Sequence, residues 1–106
     1  MRAVVCTTFD GIDALSCVDD TPEPPMTEGA VRLKVHAAGI NFADTLMCKG
    51  EYQVKPPFPF SPGLEVAGEV LEVAPGVTRV KPGDRVMATV HYGGYASEAV
   101  TDASTV

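Results

Sequence analysis

Few side chains in this sequence offer chemistry, and they are scattered. His36 and His91 are the natural candidates for acid–base or metal work. Neither has a Cys or Asp at ligand spacing, so both read as surface or core histidines. Cys6, Cys17 and Cys48 are an odd number at wide spacing, with no Cys-x-x-Cys. That excludes a zinc knuckle and a thioredoxin-type motif, and thiols used this way fit a reducing, cytoplasmic setting. Cys48 lies in a helical stretch, where a packed thiol is the plain reading and a reactive one the sharper. Asn41 stands at the start of that helix as a cap, and Asp44, three residues on, faces the free amides of the first turn. Glu65 reads as structural, paired with a cation or a backbone amide, because a buried carboxylate needs a partner. Tyr52 precedes a proline-rich loop and can pack against it.

These residues need elements to hold them. Arg2 to Phe9 alternates in polarity and predicts a strand ended by Asp10-Gly11, with Leu15 to Asp19 as a second, short one. Thr21-Pro22-Glu23-Pro24-Pro25 reads as a stiff connector, since proline donates no ladder hydrogen bond. Val31 to Ala37 is the clearest strand, with Val31, Leu33, Val35 and Ala37 on one face and Arg32, Lys34 and His36 on the other. Asn41 to Lys49 predicts a short helix closed by Gly50. Pro56, Pro57, Pro59 and Pro62 shape an extended loop over residues 53–62. Glu65 to Ala74 predicts a long strand in which Gly68 marks a bulge or a close approach. After the Pro75-Gly76 and Pro82-Gly83 turns, Arg85 to Tyr92 and Tyr95 to Val100 predict two further strands around Gly93-Gly94. The closing Thr-Asp-Ala-Ser-Thr-Val suits the start of another element. Short strands, Gly/Pro turns and one short helix predict a mainly β fold, a small barrel.

Bulk properties narrow the partners. The 106 residues fit one domain, and Gly 10 with Pro 9 suits a turn-rich β fold. A formal charge of −6 and the lack of any basic cluster argue against nucleic acid. The apolar start of the chain is too short for a signal peptide, and no stretch reaches the ~20 apolar residues of a membrane span. No two glycines stand in Gly-x-Gly spacing, so no dinucleotide-binding fingerprint is present.

Four strings together carry a resemblance. Ala38-Gly39-Ile40-Asn41-Phe42-Ala43-Asp44, Pro62-Gly63-Leu64-Glu65-Val66-Ala67-Gly68-Glu69-Val70, Val80-Lys81-Pro82-Gly83-Asp84-Arg85-Val86 and Gly93-Gly94-Tyr95-Ala96 resemble, in order, successive signatures of the medium-chain dehydrogenase/reductase superfamily. The resemblance implies the family's N-terminal GroES-like domain, a partly open β-barrel. Zinc-dependent alcohol dehydrogenases of the superfamily carry Ala-Gly-Ile-Cys and Gly-His-Glu at the first two places, and there the Cys and His bind zinc. This chain has Asn41 and Leu64, which cannot replace a thiolate and an imidazole. The cysteine-rich lobe for a structural zinc is missing as well. These departures resemble the zinc-free quinone oxidoreductase branch, where Asn-Phe-Ala-Asp is familiar and Lys49-Gly50-Glu51-Tyr52 matches a following Gly-x-Tyr.

In that branch the resemblance implies hydride transfer from NADPH to a quinone or an activated enone, with no metal. It places Asn41 and Tyr52 beside the nicotinamide as catalytic residues, and Asn41, Asp44 and Tyr52 as cofactor-binding ones. It further implies a Rossmann domain that follows this one and holds most of the NADPH, a homodimer of the full-length protein, and an inactive chain when the 106 residues stand alone. The rival within enzymes is an enoyl-thioester reductase domain, which shares Asn-Phe-x-Asp. The rival of another class is a non-enzymatic GroES-like binding module, which would need a long mobile apolar loop rather than a proline-stiffened one. A membrane-associating vesicle-protein branch also carries Asn-Phe-Ala-Asp, but the negative charge and the lack of a basic amphipathic helix give membrane binding no support.

Overall fold

The computed structural model describes all 106 residues. In chain order its strands are β1 (Ala3–Val5), β2 (Ser16–Val18), β3 (Ala30–Ala38), β4 (Glu65–Val73), β5 (Arg85–Thr89) and β6 (Glu98–Asp102), with one α-helix, α1 (Phe42–Cys48). β3 is the backbone of the fold because its alternation lets it be buried from one side while paired on both edges. It sits inside a four-stranded antiparallel sheet of order β5-β4-β3-β6, while β1 and β2 pair separately. Val31, Leu33, Val66, Val70 and Ala88 form the core of the larger sheet.

The two sheets are stitched rather than fused. The Val4 amide donates to the Tyr95 carbonyl at 2.8 Å and the Ser97 amide to the Arg2 carbonyl at 2.9 Å. Cys6 and Phe60 exchange backbone hydrogen bonds of 2.7 and 3.1 Å. These bridges bend the sheets toward one another and give a partly open barrel of GroES-like type, as the sequence predicted.

The element boundaries carry the differences. The first strand stops at Val5 instead of Phe9, because Cys6 turns away to pair with Phe60. The last strand is Glu98–Asp102 instead of Tyr95 to Val100, because the backbone at Tyr95 and Ser97 is engaged with β1. The strand from Arg85 ends at Thr89, beyond which Val90 and Gly93 donate to the carbonyls of Leu64 and Ser61. The polar terminus does begin an element, a 3-10 turn over Ala103–Thr105 capped by Asp102 through the Ser104 amide at 2.9 Å.

Gly68 is a close approach. The β3–β4 register slips between Val35 and Ala37 opposite it, and a side chain there would collide with the Lys34 carbonyl oxygen. Past this bulge the apolar face of β3 leaves the core, so Ala37 and Ala38 are exposed. The connector at residues 21–25 is tied down by Arg32, whose guanidinium donates to the Pro24 carbonyl at 2.8 Å and meets Glu72 and Glu98, each at 3.3 Å. No helix is long and apolar enough to cross a membrane.

Candidate functional site

The bulge turns β3 out into Gly39 and Ile40, and the chain then enters α1. Asn41 is the N-cap, with extended backbone, and Asp44 is the third helical residue. The pair forms a capping box in which the Asp44 Oδ2 accepts from the Asn41 amide at 2.9 Å. The Asp44 amide in turn donates to the Asn41 carbonyl at 3.0 Å. Both backbone groups of Asn41 that face the helix are therefore used within it. The side chain faces the Asp44 amide without an aligned bond, and the donors of its carboxamide NH2 stay free. Asn41 is half-buried between two exposed apolar side chains, Ile40 at 85% and Phe42 at 77%.

Asp44 is the polar group the fold hides most completely, at 3% exposed. Its Oδ2 also accepts a 2.5 Å hydrogen bond from the Tyr95 hydroxyl, and its Oδ1 has no partner. Burial, reinforced by the Asp44 carboxylate, pushes the Tyr95 phenol far above its ordinary range. Its proton is therefore fixed on the oxygen, and Tyr95 acts as a donor throughout.

Tyr52 lies beyond the other end of α1. It is half-buried against a cluster of Cys6, Met47, Cys48 and Phe60, to which Leu64 also adds. The structure thus brings Asn41, Asp44 and Tyr95 into one hydrogen-bonded set. It connects Tyr52 to that set through the buried side of α1, with no hydrogen bond between them. Burial, and then the neighbouring Cys6, raise the Cys48 thiol to about 11, which makes it a packed and unreactive group rather than a nucleophile.

The remaining candidates separate. His36 and His91 are exposed, and no three His, Cys, Asp or Glu side chains converge on a point. Glu65 is exposed and has neither a cation nor an amide partner, contrary to expectation. It opens β4 at the end of the sheet, where water solvates it, and the buried carboxylate is Asp44 instead. Tyr95 is the member that sequence reasoning missed as a site residue. The signal was its place after Gly93-Gly94, where a large polar aromatic has no turn role of its own.

Residues 27–106 match the family described as the alcohol dehydrogenase GroES-like domain. Quinone oxidoreductase-like protein 2 of Rattus norvegicus is 44% identical over 105 residues, covering 99% of this chain and 29% of that protein. The Escherichia coli quinone oxidoreductase solved in complex with NADPH superposes with a TM-score of 0.87 at 34% identity, over 99% of this chain and 32% of that one. Human synaptic vesicle membrane protein VAT-1 homolog-like protein gives a TM-score of 0.90 at 33% identity, over 99% of this chain and 33% of that one. The chain thus spans about a third of the length of these relatives. By these matches it belongs to the alcohol dehydrogenase GroES-like domain family, in the quinone oxidoreductase branch of the medium-chain dehydrogenase/reductase superfamily.

Proposed function

We propose that the chain is the substrate-side domain of an NADPH-dependent reductase that acts on quinones or activated enones without zinc. The observation that carries this reading is the Asn41 carboxamide. Capping engages only the oxygen of that group, so its NH2 donors have no partner in the chain, and apolar Ile40 and Phe42 flank it. A free, half-buried donor between apolar side chains suits a neutral planar ring with a polar edge, such as a nicotinamide or a quinone. NADPH, when bound, supplies the hydride.

The chain's own residues supply position and polarity. Asn41 donates toward the carboxamide of the nicotinamide or the substrate oxygen on which negative charge develops. Tyr52, wedged on the Cys6–Phe60 cluster, closes the other side and presents its hydroxyl. Asp44 assists cofactor binding through Asn41, since its own carboxylate is buried. The Asn41 and Leu64 side chains stand where zinc-dependent relatives have ligands, and an amide with a leucine makes no zinc site. The phosphates of NADPH find no glycine-rich cradle here, so the reading assigns them to a further domain, with Ile40, Phe42 and Met87 facing it. It also takes the working protein to be a cytoplasmic homodimer.

The test uses the gene's full product. Asn41→Ala is expected to lower quinone-dependent NADPH oxidation by about a hundred- to a thousandfold, the range for loss of one well-placed donor. Tyr52→Phe is expected to lower it less, with the fold retained in both. Wild-type turnover and NADPH affinity in both variants would overturn the site assignment. One equivalent of bound zinc would overturn the zinc-free reading.

A further inference from the structure

We infer that Tyr95 is a positioning residue, which holds Asn41 in place through Asp44. The inference rests on the role just given to Asn41 and extends it to a residue outside the motif around Asn41.

Tyr95 is fixed along its backbone before its side chain does anything. Its amide donates to the Pro62 carbonyl at 2.9 Å, and its carbonyl accepts from the Val4 amide at 2.8 Å. The adjoining Gly94 and Gly93 amides reach the Gly63 and Ser61 carbonyls at 3.2 and 2.7 Å. Its ring lies so close over Gly63 that a methyl group there would come within 2.7 Å of it. A hydroxyl carried by so constrained a residue has one place to go, and it donates to Asp44 Oδ2 at 2.5 Å.

That same oxygen accepts the Asn41 amide, while Oδ1 has no partner. The carboxylate therefore has two donors, both on one oxygen, in a site closed to water. Such a group is costly to leave half-satisfied. Without the Tyr95 hydroxyl, Asp44 keeps one partner and gains by rotating toward water, which releases the Asn41 amide. Asn41 then loses one of the two bonds that fix its backbone, the one at its amide, and its carboxamide loses its direction. Local helix propensity cannot compensate, because α1 has only seven residues and no other first-turn acid.

The experiment compares Tyr95→Phe and Asp44→Asn with wild type in the gene's full product, by amide hydrogen exchange and by NADPH-dependent reduction of 1,4-benzoquinone. The expected result is that exchange of the Asn41 amide rises about fivefold or more in both variants, while core amides of β3 such as Leu33 do not change. Turnover falls by a similar factor, and the fall disappears when Tyr95→Phe is placed in an Asn41→Ala background. Unchanged exchange at Asn41 overturns the inference. So does a loss of turnover that persists undiminished in the Asn41→Ala background, since the effect would then bypass Asn41. Wild-type protein that oxidises no NADPH would sink the proposed function, and the exchange result alone would then decide whether Tyr95 holds Asn41.

Discussion

The molecule has two buried centres built on different principles. Under the large sheet, Val31, Leu33, Val66, Val70 and Ala88 meet as aliphatic side chains from three strands. Beside α1, Cys6, Met47, Cys48 and Phe60 meet as two thiols, a thioether and a ring, with the Asp44 carboxylate buried alongside. The first centre is held by branched and rotamer-limited side chains with no polar atoms. The second mixes polarisable, adaptable groups with a charge that must be satisfied. The first fixes the fold; the second fixes where the end of a short helix points.

The sharpest way to break that division is Leu33→Ala. Leu33 is fully buried in the aliphatic centre, and its truncation is expected to cost about 2–5 kcal/mol in denaturant unfolding. Activity per folded molecule should hardly change. An equal loss of activity and stability would show that the two centres are not separable.

A second effect starts from the thiol centre. Cys48 titrates near 11 in the folded chain against 9.0 as a free thiol. The unfolded chain releases that proton first, so the stability it confers is complete below pH 9 and is lost as pH rises toward 11. The loss amounts to about 2–3 kcal/mol by linkage. Unfolding curves from pH 8 to 11 should slope downward, and Cys48→Ala should flatten the slope. A slope unaffected by Cys48→Ala would mean the thiol is not buried as described. The elevated Tyr95 phenol adds to the slope in the same direction.

A smaller contrast sets charges against each other. Arg2 and Asp19 meet at 3.1 Å with side chains 73% and 84% exposed, and Arg2→Ala should leave stability nearly unchanged. Arg32 is 14% exposed with two carboxylates and a carbonyl on it, and Arg32→Ala should cost more. Equal effects would mean that burial does not rank these pairs.

The aliphatic centre was legible in the sequence because it obeys a period of two: Val31 and Leu33 alternate with Arg32 and Lys34, and the strand is where alternation places it. The helix and its cap were legible because Asn and Asp at that spacing leave few other uses. The burial of Asp44 was not, because it depends on Tyr95, fifty-one residues away, and no local rule reports a partner at that separation. Glu65 was misread for the same reason in reverse. Its neighbours in sequence are apolar, but the sheet ends there and leaves it in water. The strand ends near Phe9, Tyr92 and Tyr95 moved because backbone pairing between distant loops outbid local alternation.

The proline connector that Arg32 holds has a consequence for how these molecules behave in a crowd. β6 is an edge strand, paired only with β3, and an open edge is a template on which another chain can add a strand. Pro22, Pro24 and Pro25 line a groove together with Glu98, Ala99 and Val100 of that edge. A proline has no amide hydrogen to offer an incoming strand, and Glu98 adds charge. The connector therefore disfavours strand addition along that edge, and the Arg32 contact that fastens it holds this cover in place.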